Sequence, residues 1–150
     1  MAAKTISPDL KFAPKGLYIG GKWEEAADGK RLETINPATM ERLGEVPAAG
    51  AADVDRAVAA GKKAFRDWGR MPAKERAAAM EKLADRIMAQ AQELALMDAV
   101  DSGNAIAGML GDTSWTAETL RYFAGLVSEI KGETSTQGDR HLNFTRRQPY

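Results

Sequence analysis

Residues 73–100 read AKERAAAM EKLADRIMAQ AQELALMDAV, the longest stretch of the chain with a clean helical period. Met80, Leu83, Ile87, Ala91 and Leu94 recur at steps of three and four, which stacks them on one helix face. Glu81, Lys82, Asp85, Arg86, Gln90 and Gln92 occupy much of the other side, where water satisfies them. Pro72 stands at the start, where its missing N–H costs nothing. An interruption is expected near Gln90–Gln92, and Gly103 is the expected terminator. A helix with such a stripe needs neighbours to cover it.

Those neighbours are sought on both sides. Upstream, Asp53 is expected to cap a helix whose apolar positions are Val54, Ala57, Val58, Phe65 and Trp68, with Gly69 as its stop. Downstream, a helix is expected from near Thr113 to Ile130, with Trp115, Leu120, Phe123, Val127 and Ile130 as its stripe. Gly108 and Gly111 then read as punctuation ahead of it.

The ends of the chain are different in kind. Residues 1–15 have no period and read as a loose arm. Leu17-Tyr18-Ile19 and Lys22-Trp23-Glu24 flank Gly20-Gly21, a hairpin signal because glycine reaches the positive φ of the primed turns. Asp28-Gly29 marks a second turn, and Leu32–Ile35 a short extended run ended by Asn36-Pro37. Val46-Pro47 closes this extended section. Residues 141–145 alternate polar and apolar, the period of a half-buried strand. With no later segment to pair with, that strand is expected to seek a continuation of the chain or another copy.

Composition narrows the function classes. The length of 150 residues suits one domain, and 44% apolar with 28% charged residues is a globular profile. Twenty-one basic residues balance 21 acidic ones, so nothing marks an electrostatic footprint for nucleic acid or an acidic membrane. No apolar run has spanning length, and Met1–Phe12 lacks the apolar centre of a secretion signal, so the expected compartment is the cytoplasm. Zero cysteines agree with a reducing compartment and leave no thiol nucleophile. His141 is the sole histidine, on a strand among charged residues, where an exposed structural role is expected. Gly103, Gly108 and Gly111 match neither a P-loop nor a dinucleotide fingerprint. Arg146-Arg147 on a strand end read as solvated or paired across an interface.

Tyr18-Ile-Gly-Gly-Lys-Trp23 followed by Thr34-Ile-Asn-Pro-Ala-Thr39 resembles the opening of the aldehyde dehydrogenase superfamily. Asp53-Val-Asp-Arg-Ala-Val58 leading into Ala64-Phe65 and Trp68 agrees, as do Asp101-Ser-Gly103, Arg121-Tyr-Phe-Ala-Gly125 and Thr145-Arg-Arg-Gln-Pro149. No one string is specific; their order and spacing over residues 17–150 carry the assignment.

The resemblance implies an α/β parent enzyme with a Rossmann-like cofactor domain. This piece would then be a small β section, a helical block and one terminal oligomerisation strand. On that scheme residues 1–15 are an N-terminal arm, 16–137 the first part of the NAD(P)-binding domain, and 138–150 the start of the oligomerisation segment. The implied reaction oxidises an aldehyde to a carboxylate with NAD or NADP through a cysteine thioester. In the family the catalytic and cofactor-binding residues follow the part matched here, so this chain is expected to hold neither and to be inactive by itself. Leu142–Arg147 corresponds to the segment through which members assemble as dimers or tetramers.

One family site falls inside the piece. Many members hold a sodium or potassium ion through residues matching Thr34, Ile35 and Asp101. Oxygen ligands suit such a hard ion, and a helix C-terminus favours positive charge. The plainer reading makes Asp101 a turn cap with Ser102 and Gly103. Two departures stand out: Met40 where the family commonly has glycine, and Asn104-Ala105 where it often has Lys-Pro. Against the enzyme stands a non-catalytic helical assembly module, which the absence of cysteine favours for the isolated chain. A helical nucleic-acid binder is disfavoured by the zero net charge.

Overall fold

The computed structural model describes residues 16–136 and 138–148; the arm expected at 1–15 lies outside them. Strands β1 (Leu17–Ile19) and β2 (Lys22–Glu24) form an antiparallel hairpin that pairs Ile19 with Lys22. Gly20 and Gly21 both take positive φ, 58° and 85°, as the tight turn between them requires. A turn closed by the Gly29 N–H donating to the Ala26 carbonyl leads to β3 (Arg31–Ile35). β4 (Arg42–Pro47) pairs antiparallel with β3, with an irregularity in register at Thr34/Ile35. In the turn between them Met40 adopts φ 62° and its N–H donates to the Asn36 carbonyl at 2.7 Å. The left-handed geometry that suits glycine is thus kept by a methionine.

Four helices follow: α1 (Ala51–Arg70), α2 (Ala73–Ala89), α3 (Ala91–Ser102) and α4 (Ile106–Gly125), the last running into a 3-10 turn at Leu126–Ser128. The interruption inside 73–100 falls at Gln90 (φ −114°, ψ 14°), and Gly103 ends α3 in the left-handed conformation with its N–H on the Ala99 carbonyl. Helix α4 lies against both α2 and α3. Small residues sit where they meet: Ala84, Ala95, Ala117 and Ala124 are buried, with Met109 beside them. Alanine at these positions lets helix backbones approach closely.

Several expectations need correction. Asp53 is not the cap of α1: Gly50 is, and Asp53 lies three residues in, buried. Gly69 does not stop α1, which continues to Arg70; Pro72 does so by holding Met71 extended (φ −59°, ψ 137°). Gly108 and Gly111 are not punctuation but lie inside α4, which begins at Ile106 rather than near Thr113. The inner face of α4 is Met109, Ala117 and Ala124, with half-buried Thr113 and Leu120 between them at steps of three and four, and half-buried Val127 continues it into the 3-10 turn. Trp115 (69% exposed) and Phe123 therefore face outward, because the expected stripe counted only large side chains. For the same reason Leu83 and Leu94 are exposed while Ala84 and Ala95 are buried.

The terminal strand also differs. β6 (Leu142–Phe144) is shorter than 142–147 and pairs antiparallel within the chain with β5 (Thr134–Thr136), which the sequence reading missed. β-branched Thr134 and Thr136 supply the partner. The Thr145 N–H on the Glu133 carbonyl and the Glu133 N–H on Thr145 Oγ1 continue the pairing beyond the strands. Leu142 and Phe144 remain exposed.

Candidate functional site

Two polar clusters join the β section to the helices. The first is built on Asp53. Its Oδ1 accepts the Ala27 N–H at 3.0 Å and Arg56 Nη2 at 2.6 Å; its Oδ2 accepts the Gly50 N–H at 2.9 Å. Arg56 Nη1 also donates to Glu24 Oε2 at 2.6 Å. One half of a capping box is present, since Gly50 has no side chain to return the bond. The Arg56 guanidinium, with the Gly50 and Ala27 amides, holds the Asp53 carboxyl below the usual carboxylate range, against the opposing effect of burial. The cluster fastens the β1–β2 segment to the start of α1 and carries no open valence for chemistry.

The second cluster is the candidate site. Pro37 follows β3 and rests on Gly103 at the end of α3; a Cβ on Gly103 would lie 2.8 Å from Pro37 Cγ. That contact brings the end of β3 to the end of α3. Across it the Thr34 hydroxyl donates to Asp101 Oδ1 at 2.5 Å, joining residues 67 positions apart. Ile35 follows Thr34 at the register irregularity, and among the described residues no hydrogen bond links it to Asp101. Ser102 Oγ donates to the Asp98 carbonyl and accepts the Asn104 N–H, so the turn-capping role belongs to Ser102 rather than Asp101.

Charge at this helix end is unusual. The last turn of α3 holds Asp98 and Asp101 and no basic residue. Negative charge there meets the negative end of the helix dipole. Among the described residues no cationic group lies within 4.0 Å of Asp101. Asn104, just beyond the helix end, brings no positive charge. A carboxylate and a hydroxyl meet here beside the break in the β3–β4 register, oxygen groups of the kind a hard cation takes. They do not fit a transition metal, since no group of three His, Cys, Asp or Glu stands together among the described residues.

The remaining candidates are scattered. His141 is exposed in the β5–β6 connection, and Arg146 and Arg147 are exposed beyond β6. No helix among the described residues is long and apolar enough to cross a membrane.

A model of the aldehyde dehydrogenase family matches residues 23–150. The human mitochondrial 10-formyltetrahydrofolate dehydrogenase is 37% identical over 154 residues, covering 98% of this chain and 17% of that protein. An aldehyde dehydrogenase of Aspergillus niger is 39% identical over 137 residues, 91% of this chain and 28% of its own length. Among solved structures, the NAD+ complex of an aldehyde dehydrogenase from Bacillus cereus superposes with a TM-score of 0.89 at 37% identity, over 96% of this chain and 30% of that one. The NAD-dependent aldehyde dehydrogenase of Sinorhizobium meliloti gives 0.84 at 35%, over 95% and 29%. The chain thus spans less than a third of these relatives. Matching over residues 23–150 together with this superposition leaves one conclusion: the chain belongs to the aldehyde dehydrogenase family.

Proposed function

We propose that this chain is the N-terminal part of an NAD(P)-dependent aldehyde dehydrogenase that oxidises an aldehyde to a carboxylate through a cysteine thioester. The family match over residues 23–150 carries the reading, and relatives described as NAD-dependent or as an NAD+ complex support NAD as a cofactor. When bound, the nicotinamide supplies the two-electron acceptor. The 150 residues hold no cysteine, so on this reading the thiol would come from elsewhere in the parent enzyme. The compartment is the cytoplasm, and assembly as a homo-oligomer uses the segment Leu142–Arg147, whose exposed Leu142 and Phe144 support it.

What these residues do themselves is scaffold. Buried apolar side chains among the described residues are Ala26, Ala84, Ala95, Met109, Ala117 and Ala124, while Trp68, Trp115, Phe123 and Ile130 stay exposed. Faces that large on so small a core are made to be covered. Thr34, Ile35 and Asp101 would hold a sodium or potassium ion, and the Thr34–Asp101 hydrogen bond that joins the end of β3 to the end of α3 supports that reading. The charge of that ion would offset the two aspartates at the helix terminus.

The test is the polypeptide isolated from its own cells. A mass above 16.2 kDa with aldehyde-dependent NAD(P) reduction is expected, and the 150 residues alone should be inactive. A 16.2 kDa polypeptide, inactive on short, long and aromatic aldehydes, would overturn this reading. It would instead favour a non-catalytic helical assembly module, the reading that the absent cysteine supports.

A further inference from the structure

Asp28-Gly29 lies in the turn between β2 and β3, exposed, with nothing within 4 Å of where a Cβ on Gly29 would stand. An aspartate before glycine is open to attack on its side-chain carbon by the next main-chain nitrogen, because glycine puts no branch in the way. Three contacts oppose that attack. The Gly29 N–H donates to the Ala26 carbonyl at 2.9 Å. Asp28 Oδ1 accepts the Lys30 N–H at 3.0 Å, and Oδ2 is paired with Lys30 Nζ at 3.0 Å. The Lys30 amide, and after it the Lys30 ammonium, hold the Asp28 carboxyl below the usual carboxylate range. An ionised carboxylate has no hydroxyl to lose, so it resists a nucleophile. The same turn holds Ala27, whose N–H donates to Asp53 Oδ1 at 3.0 Å and ties the β section to the start of α1.

We propose that Asp28 is a modification site of the main chain: it converts to isoaspartate through a succinimide, at a rate that Lys30 restrains, and the conversion releases the Ala27 amide from Asp53. The Gly29 nitrogen bonds to Asp28 Cγ and gives up its proton as the protonated carboxyl gives up hydroxide, so one water leaves and a five-membered imide closes. Water then reopens the ring. Addition at Cγ breaks the new C–N bond and restores aspartate. Addition at the main-chain carbonyl carbon breaks the original peptide bond, and the chain then runs through Cγ with a carboxylate left on Cα. No oxidant, metal or second reactant besides water enters. The product carries one extra main-chain carbon, which the hydrogen-bonded turn from Ala26 to Gly29 has no room to keep. The site belongs to this turn and stands apart from the enzyme and cation readings.

The experiment incubates the full chain at neutral pH in heavy-oxygen water and maps the tryptic peptide containing residue 28, with electron-transfer fragmentation to separate the isomers. Wild type should accumulate isoaspartate there, carrying one heavy oxygen, and the modified chain should lose protection of the Ala27 amide from exchange. Lys30→Ala keeps the main-chain bond and removes only the ion pair, so it should convert about threefold faster, which is what an exposed pair is worth. Lys30→Arg should match wild type, and Asp28→Glu, which cannot close a five-membered ring, should not convert. In urea, wild type and Lys30→Ala should convert alike, because the turn is gone. No isoaspartate at residue 28 in either chain overturns the site, and isoaspartate without the heavy oxygen overturns the succinimide route. Lys30→Ala no faster than wild type, or faster by the same factor in urea, overturns the restraint. A modified chain whose Ala27 amide stays protected overturns the release.

Discussion

Gly103 at the end of α3 is the seat on which Pro37 rests, at a spacing that leaves no room for a Cβ: one built there would stand 2.8 Å from Pro37 Cγ. Its φ of 77° sets a second requirement for glycine at the same position. Because this contact aligns Thr34 with Asp101, Gly103 matters to the site without touching it. Gly103→Ala should loosen the β3–α3 junction by about 1–3 kcal/mol, combining left-handed strain with the clash. Amide hydrogen exchange at residue 103, whose N–H is held by the Ala99 carbonyl, should speed up accordingly.

Asp53 makes the other junction pH-dependent. Its folded pKa is lowered, chiefly by Arg56, so it lies below the unfolded value of about 4. The stabilisation is therefore complete above the unfolded value and fades as pH falls through the folded one. The protection of the Ala27 amide, held by Asp53, relative to its intrinsic exchange rate should fall as the pH drops below about 4. In Asp53→Asn that amide should exchange faster at neutral pH, with the acid dependence flattened.

Met40 carries strain that its neighbours tolerate. A non-glycine residue at φ 62° gives up about 1 kcal/mol, partly offset by the greater freedom of glycine when unfolded. Met40→Gly should stabilise the β3–β4 hairpin by about 0.5 kcal/mol. Slower exchange of the Met40 position's amide, which donates to the Asn36 carbonyl, is the measurement.

The alanine seam should resist enlargement. Ala84 and Ala117 are fully buried on the helices that meet along it. Ala117→Leu should cost about 1–3 kcal/mol by forcing α4 away from its neighbours. An outward Ala→Leu exchange at exposed Ala107 is the control and should change stability by less than about 0.5 kcal/mol.

Local signals in the sequence were read well where one residue type decides the backbone. Gly20-Gly21, Asn36-Pro37 and Gly103 mark their boundaries because glycine admits positive φ, while proline fixes φ, lacks an N–H and restricts the residue before it. Asp53 was placed at the wrong helix position because a carboxylate that caps from inside the first turn gives the same spacing signal as one that caps from before it. Faces were misassigned wherever alanine, not leucine, is buried: apolar size says what water excludes, not where two backbones come closest. The β5 strand was missed because Thr-Ser-Thr has no alternation to detect. Of the site, family resemblance supplied Thr34, Ile35 and Asp101; the hydroxyl contact and the Gly103–Pro37 seat depend on side chains brought together over 66 and 67 positions, which no local pattern encodes.

The central claim is that these helices present apolar faces made for further polypeptide, and calorimetry of the isolated 150 residues beside sedimentation tests it most directly. The account predicts association, or a broad transition whose enthalpy falls well short of about 0.7 kcal/mol per residue. A sharp, reversible transition of that full enthalpy from a monomer would contradict it.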